Sequence, residues 1–180
     1  RISFTGELGY EIYVAPHFQI KLYEELMDAG KEFNIKPFGS RALMSMRLEK
    51  NWGAWTLDFR PDFTAKETGL DKFIYWDKEF IGKEPAKKDM SHNKLVPLIV
   101  ETNDIDVTYN EAVMKGDKSI GYVTSGGFAH FVNKSVAFSY LNKNEINSEK
   151  GIQVEINGDL FNCAIIKEPL YDPSGQKMRS

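Results

Sequence analysis

The sequence predicts an α+β fold, with helices in its first half and an antiparallel barrel or sandwich in its second. Three observations predict it. Apolar residues at helical spacing mark the first half. Short alternating runs separated by hairpin turns fill the second. A polar stretch at 84–94, carrying Pro85, connects the two and divides the chain into units 1–88 and 89–180.

Each element has a local reason. Thr5-Gly6-Glu7-Leu8-Gly9 supplies turn chemistry, and Tyr10, Ile12 and Val14 alternate after it, so residues 1–14 read as a hairpin. Pro16 suits a first helical turn. Phe18, Leu22, Leu26 and Ala29 then give one apolar face that ends at Gly30. Ser40 is placed to cap a second helix whose Leu43, Met46 and Leu48 face the core. From Trp52 to Phe80 the chain is irregular and aromatic. Strands follow at 95–100, 111–115, 119–124, 135–141 and 152–156, with a return strand through Phe161, Cys163 and Ile165. Asn157-Gly158 is the type I′ hairpin signal between the last two.

Composition excludes several classes. The 180 residues are 42% hydrophobic and 27% charged, as expected of a folded globular chain. The net charge of −3 provides no basic excess for a phosphate backbone, so nucleic-acid binding is not expected. No apolar run nears the ~18 residues of a membrane span. The single cysteine, Cys163, forms no internal disulfide and fits a reducing compartment. His17, His92 and His130 lack metal-ligand spacing, so no structural metal is expected. Dinucleotide, P-loop and nucleophile-elbow motifs are absent. The chain opens directly into strand-like sequence at Arg1, which suggests a piece of a larger protein.

Three features can carry chemistry. Glu11 lies on the strand face opposite Tyr10, Ile12 and Val14. It is either a solvated charge or, if enclosed, a carboxylate that must be paired, and its two acceptors suit adjacent N–H donors. Arg41 falls in a first helical turn, where the helix dipole disfavours a cation by about 0.3–1 kcal/mol. It is either a snorkelling or ion-paired surface residue or one held there by a ligand. The Trp52–Phe80 aromatics read first as packing and second as the wall of a pocket for a flat ring. Ser125-Gly126-Gly127 likewise reads as a loop before it reads as a close approach to a ligand.

Arg1-Ile2-Ser3-Phe4-Thr5-Gly6-Glu7-Leu8-Gly9-Tyr10-Glu11 resembles the R-x-S-[YF]-T-G-E-x-G-[YF]-E segment of the aminomethyltransferase family, to which the glycine cleavage T-protein belongs. Gly39-Ser40-Arg41-Ala42 through Arg47-Leu48-Glu49-Lys50 resembles a second family motif. Trp52-Gly53-Ala54-Trp55, Arg60-Pro61-Asp62-Phe63-Thr64, Glu67-Thr68-Gly69-Leu70 and Phe80-Ile81-Gly82-Lys83 resemble the dimethylglycine and sarcosine dehydrogenase branch. Gly121 to Gly127 and Pro169-Leu170-Tyr171-Asp172-Pro173 complete a series that covers nearly the whole chain.

The resemblance implies part of a ferredoxin-like, folate-binding α+β region followed by a C-terminal antiparallel β-barrel. It implies tetrahydrofolate as cofactor, with Glu11 on the pterin's N–H groups, Arg41 as the pterin-site arginine, Phe4 stacking on the ring, and Tyr171 lining the site. The family's catalytic aspartate belongs upstream of the R-x-S motif, so no catalytic residue is assigned here and the chain alone is expected to be inactive. A flavin (FAD), in the dehydrogenase branch, belongs to a further upstream domain. The expected partners are a methylated-amine or aminomethyl donor and the N-terminal half of the same protein. The expected compartment is the cytoplasm in a bacterium and the mitochondrial matrix in a eukaryote. Two alternatives are a non-catalytic folate-binding module of the iron–sulfur assembly or RNA-modification type, and a carbohydrate- or peptide-binding module.

Overall fold

The computed structural model describes residues 3–88, 90–147 and 150–179. Its second half is a closed, wholly antiparallel six-stranded barrel. The strands are β1 (Asn93–Val100), β2 (Ala112–Lys115), β3 (Lys118–Ala129), β4 (Lys134–Asn142), β5 (Ile152–Ile156) and β6 (Asp159–Ile165). Their order around the barrel is β1-β4-β3-β2-β5-β6, and β6 returns to β1 through Leu98–Ile165, Ile99–Ala164 and Val100–Cys163. Pro97, which has no N–H to donate, lies just before that pairing begins.

Alternation fills the barrel. Val96, Leu98 and Val100 of β1 point inward and meet Val113, Val123, Leu141, Ile152, Val154 and Ile156. The sequence anticipates these strands closely. The Asn157-Gly158 turn forms as expected, with φ of 53° and 91°. The difference lies in β3, which runs on through Ser125, Gly126 and Gly127 instead of stopping at a loop. A bulge between Val123 and Ser125 lets it do so.

β4 is buried on both faces. Its outer residues Val136 and Phe138 are covered by Leu48 of the helix α2 (Ser40–Glu49). Gly39 is the N-cap of α2, and Ser40, the expected cap, is the first helical residue and makes no capping bond. A short helix, α3 (Ala65–Thr68), opens with a capping box: Glu67 N–H donates to Thr64 Oγ1 and Thr64 N–H to Glu67 Oε2. Glu67 Oε1 also accepts from the amides of His92 and Asn93, tying α3 to the start of β1. The polar connection at 84–94 contains the helical turn α4 (Lys83–Lys87), and β1 takes up its last two residues. Asp89 lies outside the described residues.

The N-terminal segment departs from expectation. Among the described residues the predicted hairpin shows no strand pairing. The Gly6 amide closes a turn onto the Ser3 carbonyl at 3.2 Å, and Tyr10–Val14 carries no strand pairing, with Tyr10 82% and Tyr13 86% exposed. Arg1 and Ile2 lie outside the described residues. A strand needs a neighbour for its backbone N–H and C=O groups, and no described segment lies beside this one. The helix α1 (Gln19–Ala29) forms where predicted, but its apolar face stays exposed at Phe18 and Leu26, and its main described contacts are with the helical turns at its own two ends.

Candidate functional site

α2 is tied to the barrel through a buried polar network centred on Asp58. Arg47 Nη1 donates to Asp58 Oδ2 at 2.7 Å, and neither side chain reaches solvent. Asp58 is a hub. Its Oδ2 also accepts the Ala54 amide at 2.7 Å, and its Oδ1 accepts the hydroxyls of Thr124 and of Ser125, the latter at 2.7 Å. Successive side chains in a regular strand point to opposite faces. The β3 bulge breaks that alternation, so two adjacent hydroxyls face one carboxylate. Tyr140 donates to the Asp58 carbonyl at 2.8 Å, and Phe63 stacks on the Tyr140 ring at 3.5 Å. Burial, and then the Asp58 charge, pushes the Tyr140 hydroxyl's pKa upward. Burial pulls the Arg47 guanidinium's pKa down while Asp58 opposes it.

This anchor fixes the C-terminal half of α2 and leaves its N-terminal turn over a cleft of about 720 Å³, within the size range of small-molecule sites. Arg41 and Met44 line one wall, Gly127, Phe128 and His130 the β3 wall, and Thr108 the rim. Ser45 donates to the Phe128 carbonyl and holds the two walls together. Phe128 and His130 pack edge to face at 5.1 Å. Gly126 is dictated by backbone: a Cβ there would sit 2.5 Å from the Val107 carbonyl oxygen. A Cβ on Gly127 would meet only Leu48, at 3.5 Å.

Of the predicted site residues, Arg41 alone lines the cleft. Arg41 is an exposed member of the cleft wall. Glu11 is not part of that cleft; it is exposed and accepts the Tyr13 hydroxyl at 2.5 Å, a bond that raises the tyrosine's pKa. Phe4 lies in the Ser3–Gly6 turn and is 38% exposed. Tyr171 belongs with that turn. Its hydroxyl donates to Glu7, its amide donates to the Glu49 carbonyl at 3.0 Å, and its ring meets Phe131 edge-on at 4.9 Å. The hydrogen bond to Glu7, with burial behind it, pushes the Tyr171 hydroxyl up to about 12. Lys50 joins the group by donating to the Tyr171 carbonyl at 3.4 Å and to Asp172 Oδ2 at 3.0 Å.

The aromatics from Trp52 to Phe80 do not wall one pocket. Phe63 is packing for Tyr140, Trp55 meets Phe59 edge-on and is otherwise exposed, and Trp76 pairs with Phe80. Among the described residues no His, Cys, Asp or Glu cluster can hold a metal. Burial, with a smaller push from Glu101, raises the Cys163 thiol to about 12 and makes it a poor nucleophile. The sequence missed Asp58 altogether, since nothing in its local pattern sets it apart. Thr108 and His130 reach the cleft from the connections between barrel strands, β1 to β2 and β3 to β4, which the local sequence does not place.

Two sequence-family models match this chain, the GCVT N-terminal domain over residues 1–78 and the glycine cleavage T-protein C-terminal barrel domain over residues 93–172. An α+β region anchored on a closed barrel is the class they define, and the chain belongs to the glycine cleavage T-protein family. Human mitochondrial dimethylglycine dehydrogenase is 37% identical over 175 residues, covering 94% of this chain and 20% of that protein. An aminomethyltransferase of Pseudothermotoga lettingae is 32% identical over 173 residues, covering 95% of this chain and 48% of that one. The solved structure of glycine cleavage system aminomethyltransferase T from Bartonella henselae shares the fold, with a TM-score of 0.80 at 22% identity over 95% of this chain and 48% of that chain. The chain thus spans between about a fifth and about a half of the length of these relatives.

Proposed function

We propose that this chain is the C-terminal portion of a tetrahydrofolate-dependent, aminomethyltransferase-like one-carbon enzyme, of the kind that forms the folate half of dimethylglycine and sarcosine dehydrogenases. The single observation that carries the reading is the Arg41 cleft, a small-molecule-sized space with a cation on one wall and an aromatic ring on the other. Family membership and the dehydrogenase relatives support it. The donor is a methylated amine or an aminomethyl carrier; its iminium-level carbon forms bonds to two folate nitrogens to give 5,10-methylenetetrahydrofolate, the donor nitrogen leaves as an amine carrying one of the two folate protons, and the other proton is released.

The residues of this chain bind and orient. Arg41 supplies charge at the cleft, Phe128 an apolar surface, and the Arg47–Asp58 anchor holds α2 in place while the cleft is filled. Glu11, Phe4 and Tyr171 belong to the same reading, with Glu11 on the pterin's N–H groups once the 10–14 segment is seated against the N-terminal half of the protein. The catalytic acid is outside this chain, which is inactive alone. The compartment is the mitochondrial matrix in a eukaryote and the cytoplasm in a bacterium, in keeping with the mitochondrial dehydrogenase relatives.

Calorimetry of the full-length protein with tetrahydrofolate tests this. Arg41→Ala and Glu11→Gln are each expected to weaken binding more than tenfold. Wild-type affinity in Arg41→Ala removes the cleft from the folate site, and wild-type affinity in Glu11→Gln removes Glu11. Turnover by the 180-residue chain on its own overturns the assignment of catalysis to residues outside it.

A further inference from the structure

At the other end of α2 from Arg41, roughly 13 Å along the helix axis, lies a second cleft of about 560 Å³. It is formed by the C-terminal end of α2, the turn at 72–73 and the C-terminal segment 167–179. Four cationic side chains from these separate segments line it: Lys50, Lys72, Lys167 and Arg179. Asp172 pairs with Lys50 at 3.0 Å. In a chain whose net charge is −3, this is a local reversal of sign. Low-dielectric walls around like charges concentrate the field and draw in counter-ions.

The cations are presented in a graded way. Lys50 is nearly buried, with its ammonium fixed by the Asp172 carboxylate and the carbonyls of Tyr171 and Asp172. Lys72 lies over the Phe73 ring at 5.3 Å and is exposed. Arg179 donates from Nη1 to the Ser174 carbonyl at 3.3 Å, which leaves the rest of an exposed guanidinium fork toward solvent. Trp52 also lines the cleft, and its Nε1 donor is buried without a hydrogen-bond acceptor. The exposed Lys72 and Arg179, beside the fixed ammonium of Lys50, fit an oxyanion.

We infer that this C-terminal cleft binds a small, multiply charged oxyanion, an organic phosphate or a polycarboxylate, through Lys72 and Arg179. The site goes beyond the folate reading and does not depend on it.

The test uses the full-length protein with pyrophosphate and citrate as separate probes, by calorimetry at low ionic strength. Saturable binding of either is expected, and the tighter of the two identifies phosphate or carboxylate as the preferred chemistry. The Lys72→Ala/Arg179→Ala pair, both exposed and outside the core, is expected to weaken it at least tenfold. Lys134→Ala, at the start of β4, and Arg41→Ala are expected to leave it unchanged. Saturation by neither probe, equal affinity in the double variant, or loss of binding in Arg41→Ala overturns the proposal.

Discussion

Arg47 and Asp58 meet at 2.7 Å with neither side chain in contact with solvent, and three further donors from Ala54, Thr124 and Ser125 converge on the same carboxylate. The barrel and the helical half are held to each other by charge as well as by the contact of Leu48 with Val136 and Phe138.

Removing one partner of a buried pair leaves an uncompensated charge, which typically costs about 3–5 kcal/mol. Arg47→Met is therefore expected to lower the urea unfolding free energy by about that amount. Arg47→Met/Asp58→Asn removes both charges and is expected to lose less than the two single changes combined. Additivity within about 0.5 kcal/mol in that cycle would mean that the two do not act together.

Two neighbouring glycines are expected to behave differently. A Cβ on Gly126 would lie 2.5 Å from a backbone oxygen, whereas one on Gly127 would be in ordinary contact with Leu48. Gly126→Ala is expected to destabilise by about 1–3 kcal/mol. Gly127→Ala is expected to fall within about 0.5 kcal/mol of the parent. Chemical denaturation of the two variants side by side checks both.

Glu67 carries an acid dependence. Burial pushes against its charged form, yet hydrogen bonds from Thr64, Asn93 and His92 outweigh that and hold its carboxyl below the ordinary value. A depressed folded-state pKa contributes stability in full above the unfolded value, and that contribution is lost as pH falls through the folded one. Unfolding followed from pH 6 downward is expected to show a decline that is shallower in Glu67→Gln. Identical slopes would place the acid sensitivity elsewhere.

Tyr171 carries the opposite sign. Its hydrogen bond to Glu7 raises it from 10.0 to about 12, so its contribution is present below pH 10 and fades as pH climbs toward 12. In ultraviolet titration, the phase lost in Tyr171→Phe is expected near 12, and Glu7→Gln is expected to bring it back toward the ordinary tyrosine range.

The barrel was legible because its strands alternate with period two and its turns carry glycine and asparagine. Val96, Leu98 and Val100, or Ile152, Val154 and Ile156, need no other information. Ser125-Gly126-Gly127 was misread as a loop because a bulge gives strand residues the look of a turn. The hairpin at 1–14 failed for another reason: alternation marks a strand that wants a neighbour but does not supply one. At the site, Arg41 was visible as a cation against a helix dipole, and the structure puts it on a cleft wall. Asp58 was invisible because its role arises from β3, residue 54 and α2 meeting in space. Glu11, paired with Arg41 by motif, is not among the residues lining the Arg41 cleft, and nothing local in either segment fixes how far one lies from the other.

The return of β6 to β1 sets a schedule for folding. Leu98 leaves the ribosome many residues before Ile165, its partner across that seam. At ordinary synthesis rates of about 5–20 residues per second, the wait is on the order of several seconds. Throughout that interval one flank of β1 is bare and available for adventitious strand pairing. Pro97, by denying that flank one amide, makes the nascent strand a poorer template until its last neighbour arrives.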